Sequence, residues 1–249
     1  MAVPFYRYSL DTAKSNDCVD LYRNSIEENR RCRDYVQDSK TGFYTNAYKD
    51  NCVDSDGSYT RHLMEEFGME RVLNMYAVTV RNHINDVRID KDVKRWATDF
   101  NAGLRVREDL SDSCLTQLNP GEIDLLAKHA KKEFESLNLY TSEHCDKEIN
   151  DYTDQIVILS HKHLKEEYWS PENQLWLATG GFGCEPDKIG RAVYSTCLID
   201  GDTARWDRHQ ILGVIRDEYI PTWAREKLEE MRPKEIVQED NQEMGEMQI

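Results

Sequence analysis

The sequence predicts an α+β protein, mostly α: a helical N-terminal part, a small antiparallel-sheet module and a C-terminal helix. Three observations predict it. Apolar residues recur at helical spacing in the first part, as in Val72, Met75, Tyr76, Thr79 and Val80, which line one helical face. Asn119-Pro120-Gly121-Glu122 carries the chemistry of a helix start. The Asn oxygen accepts from free N–H groups, the proline sits where no N–H is needed, and the glutamate is placed to close a capping box. The character then changes at Trp169-Ser170-Pro171: short β-type runs alternate with turns, and residues 180–245 hold seven of the twelve glycines. The expected division is a mainly helical domain over 1–168, an α+β module over 169–231 and a disordered acidic tail over 232–249.

Taken in order, Tyr22, Ile26, Asn29 and Val36 share a helical face, with Asn29 either a buried hydrogen-bonding group between helices or the edge of that face. The polar stretch Asp38 to Ser58 reads as a loop. Its Phe43, Tyr44 and Tyr48, with Tyr59, form either a recognition surface or rings packed back onto the helices. Helices are expected over Tyr59–Phe67, ended by Gly68 in a left-handed conformation, over Met69–His83 and over Lys91–Phe100. Residues 145–168 pull two ways. Ile156-Val157-Ile158-Leu159 has strand composition, but Ile149, Tyr152, Ile156, Leu159 and His163 are spaced by three and four over a longer stretch, which predicts a helix. Strands are then expected over Gln174–Thr179, Ala192–Ile199 and Thr203–Trp206, the last two joined at Asp200-Gly201. A short helix capped by Asp207 and running through Gly213, and a final helix opened by Pro221, follow.

The charge balance bounds the partners. With 32 Lys and Arg against 47 Asp and Glu the net charge is −15. That disfavours direct nucleic-acid binding, because neutralising phosphates needs clustered bases. The acid excess suits a basic partner, such as the nucleic-acid channel of another protein, although solubility is the plainer account. The seven cysteines, at 18, 32, 52, 114, 145, 184 and 197, make no CxxC pair. Met1 to Leu10 lacks a basic segment followed by an apolar run, and no stretch reaches the length of a membrane span. Reduced thiols in a cytoplasm, and no membrane partner, are expected.

No residue pattern carries a catalytic mechanism. His144, Cys145, His161, His163, Cys184, Cys197 and His209 lack the short defined spacing of converging zinc ligands, so no metal or other cofactor is expected. Nothing signals an activated thiolate or picks out an acid–base pair. The Gly180-Gly181-Phe182-Gly183 turn would set backbone N–H groups around an anion. Yet no G-K-[ST] follows, and Pro186 stands where a third glycine is needed, so a structural turn is the stronger reading. Arg191 and Arg205, on adjacent expected strands, would meet across a hairpin as an anion clamp or else pair with Asp187, Asp202 or Asp207.

One group of residues points further. It comprises Leu21-Tyr22-Arg23, Ser25, Asn29 and Cys32, then Glu66-Phe67-Gly68, Arg71-Val72, Ala77, Thr79-Val80, Asp86, Arg88, Trp96-Ala97 and Asn119-Pro120-Gly121. The second half adds Gly180 to Gly183, Gly190-Arg191-Ala192, Ala204-Arg205-Trp206 and Trp223-Ala224. Together these resemble a domain of unknown function of Firmicutes phages and conjugative elements, often part of large polyvalent proteins with methylase and helicase modules. Val78 departs from the family pattern, which suggests Asn, and Val87 departs where it suggests Gly before Arg88; a ligand shared through those positions would be lost or altered here.

The resemblance implies a mobile-element accessory protein in the cytoplasm of a bacterial host. The expected function is non-enzymatic: binding and inhibiting a host defence component, either a host protein or a protein–nucleic-acid complex. The candidate binding residues are Arg71, Asp86, Arg88, Gly181, Gly183, Arg191, Arg205 and Asp207. The alternative is an anionic small-molecule or nucleotide-binding protein, or an enzyme, built on the glycine turn with Arg191 and Arg205. The oligomeric state stays open.

Overall fold

The computed structural model describes residues 3–38, 54, 56–100 and 111–231, which divide into two units. Most of the loop expected from Asp38 to Ser58, with Phe43, Tyr44, Tyr48 and Cys52, lies outside the described residues, as does the tail from residue 232. The first unit takes the described residues of Met1–Leu139 and His161–Pro171, and the second those of Tyr140–Ser160 and Glu172–Ile249.

The first unit is helical: α1 (Leu10–Ser15), α2 (Val19–Gln37), α3 (Ser58–Phe67), α4 (Met69–Asn82), α5 (Lys91–Phe100) and α6 (Pro120–Glu135). The Asp54 carboxylate caps α3, accepting from Tyr59 N at 2.9 Å and from Thr60 N at 3.2 Å. At α6 the capping box forms: Asn119 Oδ1 accepts from Gly121 N at 3.0 Å and Glu122 N at 3.2 Å, and Glu122 Oε2 accepts from Asn119 N at 2.9 Å. The central element is α4, buried at every residue from Glu70 to Val80 and packed against α2, α3, α5 and α6. The face first seen in its sequence is therefore only part of what it buries. Gly68 joins α3 to α4 with φ 88° and ψ 142°, a positive φ but not the left-handed helical conformation expected. A carboxylate from outside the helix then caps α4: Glu166 Oε1 accepts from Met69 N at 2.6 Å and Oε2 from Glu70 N at 2.9 Å. Burial pushes the Glu166 carboxyl above its ordinary range, opposed by the Met69 N–H and the nearby Arg71 and Arg7.

Trp169 and His161 return to α6 as part of an aromatic cluster. The His161 ring centroid lies 5.2 Å from Phe134 and 5.7 Å from Trp169. Burial, reinforced by Lys162, Arg7 and His163, pushes its pKa from 6.5 down to about 4. A neutral imidazole held this way stabilises the fold fully above the unfolded value of 6.5, and its contribution is lost as the pH falls through about 4. Acid titration of thermal stability is expected to show this loss between those limits. In His161→Phe the curve should be flatter over the same range; an unchanged slope would show that other groups carry it.

The second unit is a six-stranded antiparallel sheet with one helix on its face. Its strands are β1 (Cys145–Asp146), β2 (Ile156–Leu159), β3 (Leu175–Gly180), β4 (Ala192–Cys197), β5 (Thr203–Asp207) and β6 (Ile211–Ile215), in the spatial order β1-β6-β2-β3-β4-β5. Helix α7 (Thr222–Met231) lays Trp223, Ala224, Leu228 and Met231 on Cys145, Ile156, Ile158, Leu175 and Ile215. Register places Thr196 opposite Leu177 and Arg205 opposite Tyr194, so Tyr194, Thr196 and Arg205 lie on the same side of the sheet as that core.

Two expectations are corrected. Residues 145–168 do not form a helix: they make β1, β2 and short 3-10 turns at His161–His163 and Glu166–Tyr168. The reason is that β2 is an interior strand with Ile156, Val157, Ile158 and Leu159 all buried, so it shows no alternation. The apparent helical spacing came from residues in separate turns. Likewise, beyond Asp207 there is only the 3-10 turn Arg208–Gln210, after which Ile211–Ile215 pairs with β2 as a strand.

Candidate functional site

The site grows from the β3–β4 connection. Gly181 has φ 103°, and a Cβ there would lie 2.4 Å from Ala192 O; a Cβ on Gly183 would lie 2.4 Å from Arg191 O. Both positions therefore exclude a side chain, because the returning backbone occupies the space. Gly183 N donates to Ala192 O at 2.8 Å, and Cys184 N to Gly181 O at 2.9 Å. These amides bond inward and are not turned toward an anion.

Arg208 locks this connection. Its guanidinium donates to Gly183 O, Cys184 O and Asn150 O and stacks 4.1 Å from the centroid of the Tyr152 ring. The Arg208 amide also donates to Arg191 O at 2.7 Å. Sequence reading missed this residue, although it stands two positions after the Ala204-Arg205-Trp206 run.

On this held backbone three large apolar side chains face water: Phe182 at 65% exposure, Ile189 at 100% and Tyr194 at 53%. Backbone approaches place them on one connection. The Cβ direction of Gly190 meets Phe182 Cβ at 2.5 Å, and that of Gly181 meets Tyr194 Cδ2 at 3.1 Å. Charged pairs frame them, Lys188 with Glu185 at 3.7 Å and Arg205 with Asp207 at 3.4 Å. Their exposure left no signal in the sequence beyond an aromatic set inside a glycine turn.

The other candidate residues are placed as follows. The register sets Arg191 beside Arg208 and Arg205 opposite Tyr194, so Arg191 and Arg205 do not meet as a clamp. The Asp207 amide donates to Gln210 Oε1 at 2.7 Å. Arg71, in the first unit, is only 1% exposed. Its Nε donates to Asn29 Oδ1 at 2.8 Å and its Nη1 to Phe67 O at 2.6 Å and Val3 O at 2.9 Å, while Asn29 Nδ2 donates to Asp112 Oδ2 at 3.0 Å. Asn29 is thus the buried group between helices, and Arg71 belongs to the interior. Asp86 and Arg88 form an exposed two-pronged pair, Nε to Oδ1 at 3.0 Å and Nη2 to Oδ2 at 2.7 Å, in the turn between α4 and α5. Those Arg88 hydrogen bonds hold the Asp86 carboxyl well below the usual carboxylate range. Arg71 and Asp86 stand apart by most of the length of α4, more than about 15 Å.

Three of the described thiols have the character of core groups. Burial pushes Cys32 up to about 12, and Cys145 and Cys197 up to about 11. Among the described residues no group of three or more His, Cys, Asp or Glu side chains is arranged to hold a metal ion, and no helix is long and apolar enough to cross a membrane.

A model of the family described as protein of unknown function (DUF3849) matches residues 5–135. The chain belongs to this family. The DUF3849 segment ends with α6 and includes Arg71, Asp86 and Arg88, whereas the glycine turn and its apolar surface lie beyond it. No curated protein and no solved structure matches the chain.

Proposed function

We propose that this DUF3849 protein acts by non-covalent recognition, as an accessory protein of a phage or mobile element that binds and inhibits a protein component of host defence in the bacterial cytoplasm. The observation that carries the recognition reading is the Phe182–Ile189–Tyr194 surface. It leaves three large apolar side chains in water on a backbone fixed by Gly181, Gly183 and Arg208. Large apolar groups exposed on one connection favour association, and aromatic anchors dominate the energy of interfaces. Because the backbone from Gly181 to Cys184 is already held by hydrogen bonds, less conformational entropy is lost there on binding. The mobile-element setting rests on the resemblance of the segments quoted above. Neutral, buried thiols support a non-enzymatic reading, and the net charge of −15 supports a partner with a basic surface.

The test compares the tagged wild-type chain with Phe182→Ser/Ile189→Ser/Tyr194→Ser in capture from bacterial lysate at low salt. A discrete protein retained by the wild type should be lost from the variant, whose melting curve should match wild type because all three side chains are exposed. Identical captured sets would remove this surface from the function. A captured protein unrelated to defence would overturn the inhibitory part of the reading while leaving recognition intact.

A further inference from the structure

A groove beside α7 in the sheet unit uses none of the residues of the Phe182 surface. It has a volume of about 600 Å³, within the range of ligand sites. Its apolar lining includes Ile149, Ile220 and Leu228, and its charged walls include Arg216, Arg225, Asp146, Asp154 and Glu229. Both arginines are engaged within the wall. Arg216 Nη1 lies 2.9 Å from Glu218 Oε1 and its guanidinium stacks 4.7 Å from the Tyr219 ring centroid, while Arg225 donates to Asp217 O. Asp146, Asp154 and Glu229 make no ion pair among the described residues. With Asp217 and Glu218 the lining carries five carboxylates against these two arginines, so the charge that the groove offers to a ligand is negative, beside its apolar residues.

We infer that this groove seats a basic, partly apolar segment of a partner protein. Its apolar side chains lie on Ile149, Ile220 and Leu228, and a Lys or Arg side chain reaches Asp146, Asp154 and Glu229. Charge complementarity decides the occupant: three carboxylates without an ion pair repel nucleotides, nucleic acid and acidic peptides, and the apolar lining is wasted on a purely polar cation. The inference stands independently of the Phe182 surface.

The probe is a fluorescently labelled peptide of alternating leucine and lysine, titrated by anisotropy against the full chain at low and at physiological salt. Asp146→Asn/Asp154→Asn/Glu229→Gln should weaken binding at least about tenfold. These changes keep the local structure: Asn retains the Oδ1 that accepts from Glu148 N at position 146, and Asn tolerates the φ of 57° at position 154. Asp20→Asn/Glu27→Gln/Glu65→Gln removes the same charge from exposed sites of the helical unit and should bind like wild type. Equal weakening in both variants would assign the attraction to net charge and overturn the site, as would no binding by the wild type. Unchanged affinity when serine replaces the leucines, or equal competition by spermidine, would overturn the peptide assignment. Loss of the peptide from Phe182→Ser/Ile189→Ser/Tyr194→Ser would place it on the other surface.

Discussion

Arg71→Met is expected to destabilise the helical unit by about 3–5 kcal/mol, the scale seen when one partner of a buried charged network is removed. Methionine fills similar space but leaves Asn29 Oδ1 and the Phe67 carbonyl buried, and the Val3 carbonyl half-buried, without this donor. Differential scanning calorimetry should show the melting transition of that unit lowered by about 10 °C. Arg71→Lys should recover only part of the loss, since an ammonium cannot present a planar fork to acceptors on α2, on α3 and in the N-terminal segment. A shift below about 2 °C in Arg71→Met would mean that the guanidinium does not hold these elements together. Arg88→Ala, which opens an exposed pair in a turn, should change the melting temperature little.

Gly181→Ala is expected to cost the sheet unit about 3 kcal/mol, at the upper end of overpacking penalties. Two effects coincide there. The residue holds φ at 103°, and its new Cβ would meet the Ala192 carbonyl oxygen at 2.4 Å, a backbone atom that cannot rotate away. Relief requires β3 and β4 to separate at the turn, which would also move Phe182 and Tyr194. Urea unfolding should therefore show a lower midpoint together with weaker retention of any partner that Phe182 captures. Gly201→Ala is the control: it also has a positive φ, of 80°, but nothing lies within 4 Å of its Cβ direction, so it should cost less. Equal effects at the two positions would show that φ strain, not the close approach of β4, governs the turn.

Much of the fold was written in short-range chemistry. The capping box at Asn119 and the helical start after it involve groups three residues apart, and the break at Gly68, whose N–H bonds Met64 O, and the start at Pro221, whose carbonyl accepts from Ala224 N, are equally local. The pairing of β4 with β5 across Asp200-Gly201 likewise needed only a turn and two β-type runs. Residues 145–168 failed because a strand buried on both faces has no period of its own, so scattered apolar neighbours supplied a false one.

The binding candidates show the same limit. Arg71 stood out through its match to a family pattern, yet a pattern does not tell a core arginine from a surface one. What separates them is whether Asn29, Phe67 and Val3, remote or near in the chain, close around it. Arg191 and Arg205 looked like a pair because each lies on a strand of one hairpin, and the register set them against other residues.

Composition and local pattern alone determined the class of the protein, the position of most helices, the existence of a second, glycine-rich β part and the strong negative charge. Folding decided which side chains face inward, which arginine holds the glycine turn, and that Phe182, Ile189 and Tyr194 stay in water. The physical reason is range: caps and turns are settled between neighbours, whereas burial, register and exposure are settled by residues that meet only after the chain has closed on itself.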